Sequence, residues 1–92
     1  MTWDAYLKGF KAYLRLERSM SENTVDAYMH DVLLLRNIIR EQDESADIKN
    51  ISLQQLQSFL QQIHELGLAA ASQARILSGI KAFFGYLILE GV

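Results

Sequence analysis

The chain of 92 residues contains no cysteine and no proline, five glycines that stand apart from one another, and no apolar run long enough to cross a bilayer. Without cysteine there is neither a disulfide framework nor a thiolate metal site, and a reducing compartment is compatible with the composition. Stability has to come from packing. Half of the residues are hydrophobic, enough for one small core at this length and too few residues in all for a second domain. The isolated Gly9, Gly67, Gly79, Gly85 and Gly91 supply no phosphate-cradling loop. Residues 1–20 lack the apolar core of a signal peptide, so the chain is expected to be soluble and cytoplasmic, with no membrane association. His30 and His64 stand alone without ligand spacing, and the acidic segment around Asp43 and Glu44 lacks the central glycine and closing glutamate of a calcium loop. No metal, cofactor, small-molecule substrate or catalytic residue is expected.

What is present is helical periodicity, four times over. Thr2 is placed to cap a first helix in which Trp3, Tyr6, Leu7, Phe10 and Leu14 recur on one face, with Asp4 near its positive end and a stop near Arg18. Ser21 caps a second helix with the stripe Val25, Tyr28, Met29, Val32, Leu35 and Ile39, ending around Arg40. Residues 41–50 are polar and acidic without a period and read as the one substantial loop. Ser52 with Gln55 three residues on matches a capping box, and Leu56, Phe59, Leu60, Ile63 and Leu66 build a third helix. Gly67 stops it by taking the left-handed conformation of a helix C-cap, with Leu68 folding back on Ile63. No segment shows sustained strand-like alternation.

The fourth helix is the most informative. At about 100° per residue, Ile76, Leu77, Ile80, Phe83, Phe84, Leu87 and Ile88 share one arc that should face the core. The opposite arc holds Arg75, Ser78, Gly79, Lys81, Ala82 and Gly85, two cations among small side chains. Such a surface suits close approach to a phosphodiester backbone, although taken alone its ordinary reading is a solvated helix face. The formal charge of -2 argues against a purely electrostatic nucleic-acid binder. The distribution tempers that: Glu41, Asp43, Glu44 and Asp47 cluster in one segment, whereas Lys8, Lys11, Arg15 and Arg18 lie on the first helix.

The run FKAYLRLERSMSENTVDAYMHDVLLL, followed by ASQARILSGIKAFFGYLILEG, resembles the N-terminal core-binding domain of tyrosine recombinases, the phage-integrase and Xer-type family. The matching residues are Glu17, Arg18, Ser21, Thr24, Tyr28, Asp31 and Val32, then Ser72, Arg75, Leu77, Ser78, Ile80, Lys81, Phe83 and Phe84. The resemblance implies an all-α fold, a compact four-helix orthogonal bundle of the SAM-like kind, spanning residues 1–92. It also implies that this domain and a larger catalytic domain clamp DNA, and that recombination runs through a phosphotyrosine link made by the catalytic domain. That domain is not in these residues, so the chain is expected to be a fragment of a longer recombinase. Its expected partners are a double-stranded DNA recombination site and other recombinase protomers assembled on it.

Within that frame, Asn23 and Thr24 sit in the first turn of the second helix, where backbone N–H groups and the positive dipole end meet phosphates, and where Asn and Thr also suit base edges in a major groove. Ser72, Arg75, Ser78 and Lys81 are the expected contacts on the fourth helix. Arg75 and Lys81 lie six residues apart, about 9 Å along the axis, a span compatible with neighbouring phosphates. Arg18 joins them because it adjoins Ser21, while Lys8, Lys11 and Arg15 read as a solvated face. Tyr28 belongs to the core with its hydroxyl at the rim and is not the family's nucleophile, which needs an arginine and histidine cluster that these residues lack. The competing reading is a helical protein–protein interaction module without DNA binding, whose surface would comprise the acidic loop and exposed Leu34, Tyr86 and Leu89.

Overall fold

Each apolar stripe needs a partner surface, and part of each of the four stripes meets the others in a single core. The computed structural model describes residues 3–92; the proposed cap at Thr2 lies outside the described residues. Four α-helices follow in order: α1 (Trp3–Leu16), α2 (Glu22–Gln42), α3 (Leu53–Glu65) and α4 (Ala70–Leu89), with one 3₁₀ turn at Ile48–Asn50 before α3. No strand occurs among the described residues, and the radius of gyration of 12.9 Å is close to the roughly 12 Å of a compact chain this long. The architecture is the all-α, SAM-like one.

The first stripe is buried as its spacing predicts: Trp3, Tyr6, Leu7, Phe10 and Leu14 all lie in the core. Its helix stops at Leu16, earlier than Arg18, and the chain turns through Ser19 at a φ of 50°. Backbone N–H groups of Glu17 and Arg18 bond to the Tyr13 carbonyl and that of Met20 to the Leu14 carbonyl, which satisfies the end of α1. Ser21 then caps α2, its side chain accepting from the Thr24 backbone N–H at 3.2 Å. Val25, Val32, Leu35 and Ile39 are fully buried, while Tyr28 and Met29 pack at the margin.

Several expectations are corrected. The second helix runs on to Gln42, and the segment read as loop carries a 3₁₀ turn whose Ile48 enters the core. The capping box at Ser52 and Gln55 is present, with bonds of 3.1 and 2.8 Å in the two directions. Gly67 takes a φ of 72°, as a C-cap glycine does, yet Leu68 stays exposed rather than folding inward. Of the third stripe only Phe59 and Ile63 are buried; Leu60 and Leu66 face outward because α3 packs chiefly on α2 and leaves its flank toward α4 open.

The largest correction is the phase of α4. Its buried residues are Ile76, Gly79, Ile80, Phe83, Tyr86 and Leu87, whereas Leu77 and Ile88 are exposed and Phe84 is half-buried. The inward face is turned by roughly 70° from the arc that hydropathy selects. Two contacts account for the turn. Tyr86 packs its ring on Phe10 and Tyr13 of α1, at centroid distances of 5.7 and 5.3 Å. Gly79 brings α4 close to α2, where a Cβ at that position would stand 3.3 Å from a carboxylate oxygen of Asp31 and 3.4 Å from the Tyr28 ring. The core is otherwise aromatic around Phe83, which meets Phe10 edge-on at 5.2 Å and stacks with Trp3 at 6.3 Å.

Candidate nucleic-acid interface

Helices α2 and α4 form the most extensive pair in the bundle, and the residues singled out by sequence lie on these two helices and the turn before α2. On α4, Ser78, Lys81 and Gly85 are exposed, Arg75 is partly exposed, and Ser72 and Ala82 are half-buried. Helical geometry sets Arg75 and Lys81 about 60° to either side of Ser78, so the two cations flank a small central residue and do not point the same way. Gly79, placed by sequence on this outer face, is instead in the α2 contact.

Arg75 carries the strongest polar interaction of the face. Its Nε donates to Asp31 Oδ2 at 3.2 Å and its Nη2 to Asp31 Oδ1 at 2.8 Å, the side-on fork that a planar guanidinium offers a carboxylate. Asp31 is 1% exposed whereas the Arg75 side chain is 46% exposed. The pair is thus buried at its anionic end and open at its cationic end. Hydrogen bonds donated to the Asp31 carboxylate, and then its charge, push the Arg75 pKa above the usual arginine value. Periodicity alone did not disclose the pairing. The signal available in the sequence was a lone acid, Asp31, adjoining Val32 in an otherwise apolar stripe.

At the start of α2, Asn23 is exposed and Thr24 half-buried. The Ser21 hydroxyl donates to Thr24 Oγ1 at 3.0 Å, so the cap already engages the threonine side chain. Glu22 adds a carboxylate at this helix end and is paired with Arg15 at 2.7 Å, so Arg15 is committed to a salt bridge rather than free. Arg18 and Lys81 are exposed and have no ion-pair partner among the described residues. No hydrogen bond or ion pair joins Asn23, Thr24 or Arg18 to the α4 residues among those described.

A second surface feature lies between α3 and α4. It is an apolar groove of about 460 Å³ bordered by Leu53, Leu56, Leu60, Leu77, Phe84 and Ile88, with Lys81 on its rim. Tyr86, expected to be exposed on a protein-binding surface, is buried, and Leu34 is half-buried; Leu89 is exposed as expected. His30 and His64 are both exposed. No group of three or more potential metal-ligating side chains occurs among the described residues, and no described helix is long and apolar enough to cross a membrane.

Residues 7–91 match the family described as phage integrase, N-terminal SAM-like domain, and the chain belongs to that family. It is 29% identical to a tyrosine recombinase XerD of Oceanobacillus iheyensis over 94% of this chain and 29% of the relative. It is 32% identical to a tyrosine recombinase XerC of Pseudomonas aeruginosa over 95% of this chain and 28% of the relative. A tyrosine recombinase XerD of Chlorobaculum tepidum is 34% identical over 96% of this chain and 28% of its own length. The chain thus spans under a third of the curated relatives it matches. No solved structure matches it.

Proposed function

We propose that this chain is the DNA-binding domain of a site-specific tyrosine recombinase, gripping one face of a recombination half-site and positioning a catalytic domain that these residues do not contain. The observation that carries the reading is the exposed face of α4. Arg75 and Lys81 flank Ser78 at about 60° on either side, so a helix laid in a major groove about 12 Å wide sets a cation toward each phosphate strand and small residues toward the base edges. Family membership and relatives named as tyrosine recombinases support it. Ser72, Asn23, Thr24 and Arg18 complete the proposed contact, with Asn23 and Thr24 at the electropositive start of α2. Cleavage and joining belong to the catalytic domain, other protomers assemble on the same DNA, and the compartment is the cytoplasm.

The test is an amide chemical-shift titration of the chain with a short DNA duplex carrying a recombination half-site. Shifts should concentrate at residues 22–24 and along the outer face of α4 from Ser72 to Lys81. The protein-interaction reading retains one observation, the apolar groove between α3 and α4. An unresponsive α4, with no shift at saturating duplex, would favour it.

A further inference from the structure

We propose that Asp31 is a positioning residue for DNA binding, holding Arg75 so that the free edge of its guanidinium faces a phosphate oxygen. The proposal rests on the DNA-binding reading above and adds to it a residue that DNA itself cannot touch. Asp31 is 1% exposed and lies under Arg75, so it touches no ligand itself and acts either through that arginine or through its charge alone. Its two oxygens occupy Nε and Nη2. A guanidinium carries five N–H donors in one plane, and this side-on fork uses two of them. Both donors of Nη1 and the second of Nη2 remain, on the edge away from the buried carboxylate. An unheld arginine loses rotamer entropy on binding; here the fold removes part of that freedom beforehand.

The surroundings are shaped for this pair. A Cβ at Gly79 would press on Asp31 Oδ2 at 3.3 Å, so the glycine leaves the carboxylate its position under Arg75. The Tyr28 ring closes the same space from α2. Since the carboxylate offsets the arginine charge, the long-range pull on DNA comes from Lys81 and Arg18, and the pair contributes direction.

Opposite signs separate positioning from charge. Asp31→Asn keeps the shape and removes one negative charge beside the interface, so a purely electrostatic role predicts tighter binding to a polyanion. The proposal predicts weaker binding, by about tenfold if one charge-assisted hydrogen bond to phosphate is lost. Arg75→Lys keeps the charge and lacks the fork, and should weaken binding similarly. The probe is a short mixed-sequence DNA duplex at low salt, with circular dichroism of each variant confirming a folded helical domain. Should Asp31→Asn fail to fold, Arg75→Lys and the Arg75 Nε–H resonance of the unaltered chain decide; that resonance should shift on adding duplex. Tighter binding by Asp31→Asn, unchanged binding by Arg75→Lys, or an unmoved Nε–H signal would overturn the proposal. If duplex binding persists and responds to Lys81→Ala, the DNA-binding reading survives that outcome. If the unaltered chain does not bind duplex, both fall.

Discussion

Arg75 on α4 holds Asp31 on α2 through a two-point contact of 3.2 and 2.8 Å, and Asp31 is the only buried charged side chain among the described residues. The pair ties together the two helices that carry most of the proposed DNA interface. Removing one member of a buried pair is costly because the other is left uncompensated. Arg75→Ala should therefore destabilise the fold by about 2 kcal/mol, less than the 3–5 kcal/mol of a fully enclosed pair because the arginine end is open to water. Urea unfolding measures it, and a change below about 0.5 kcal/mol would show that Asp31 tolerates burial without its partner.

Gly9 and Tyr86 make a second testable pair. A Cβ at Gly9 would overlap the Tyr86 hydroxyl, which is packed between α1 and α4. Glycine to alanine in a helix interior ordinarily stabilises by up to about 1 kcal/mol. Here Gly9→Ala should instead destabilise by about 1–3 kcal/mol through overpacking, and Gly9→Ala combined with Tyr86→Phe should recover most of that loss. Thermal melts of the two single variants and the double variant check the coupling.

The two adjacent phenylalanines of α4 should differ. Phe83 is fully buried among Trp3, Phe10 and Phe84, whereas Phe84 is half-buried at the edge of the apolar groove. Phe83→Ala should cost roughly 3–5 kcal/mol and Phe84→Ala clearly less. The reverse order in chemical denaturation would return α4 to the phase that hydropathy suggests.

Tyr86 also gives the fold an alkaline limit. Burial first, then the nearby Glu90, Tyr6 and Glu17, push its pKa above the ordinary 10.0. The folded state holds this proton more tightly than the unfolded chain, so its contribution is complete below pH 10 and is lost as pH rises through the raised value. Stability should accordingly fall more steeply above pH 10 in the unaltered chain than in Tyr86→Phe. Parallel pH profiles would contradict the assignment.

The sequence discloses α1 almost completely because Trp3, Tyr6, Leu7, Phe10 and Leu14 pack on several neighbours at once, and periodicity alone then selects the buried face. The phase of α4 is harder to read. Hydropathy counts Leu77 and Ile88 as core and Gly79 as neutral, yet the decisive quantities are how near α2 can approach and what Asp31 and Tyr86 require. Leu60 and Leu77 illustrate the same point from α3 and α4: each is apolar and in register, but these helices leave a groove between them rather than closing on each other. At the candidate site, the cationic character of Arg75 and Lys81 was legible and their environments were not. Asp31 lies 44 residues from Arg75, and no local pattern reports a contact over that separation.

If the outer face of α4 binds the DNA backbone as proposed, a salt titration of Lys81→Ala against the unaltered chain will register it. Lys81 is exposed and free of any ion-pair partner among the described residues, so its removal should leave the fold intact. Each neutralised phosphate contributes about -0.9 to the slope of log K against log salt on duplex DNA. Lys81→Ala should make that slope shallower by about one unit and weaken cognate and scrambled duplexes alike. Identical slopes for the two proteins would take α4 out of the interface.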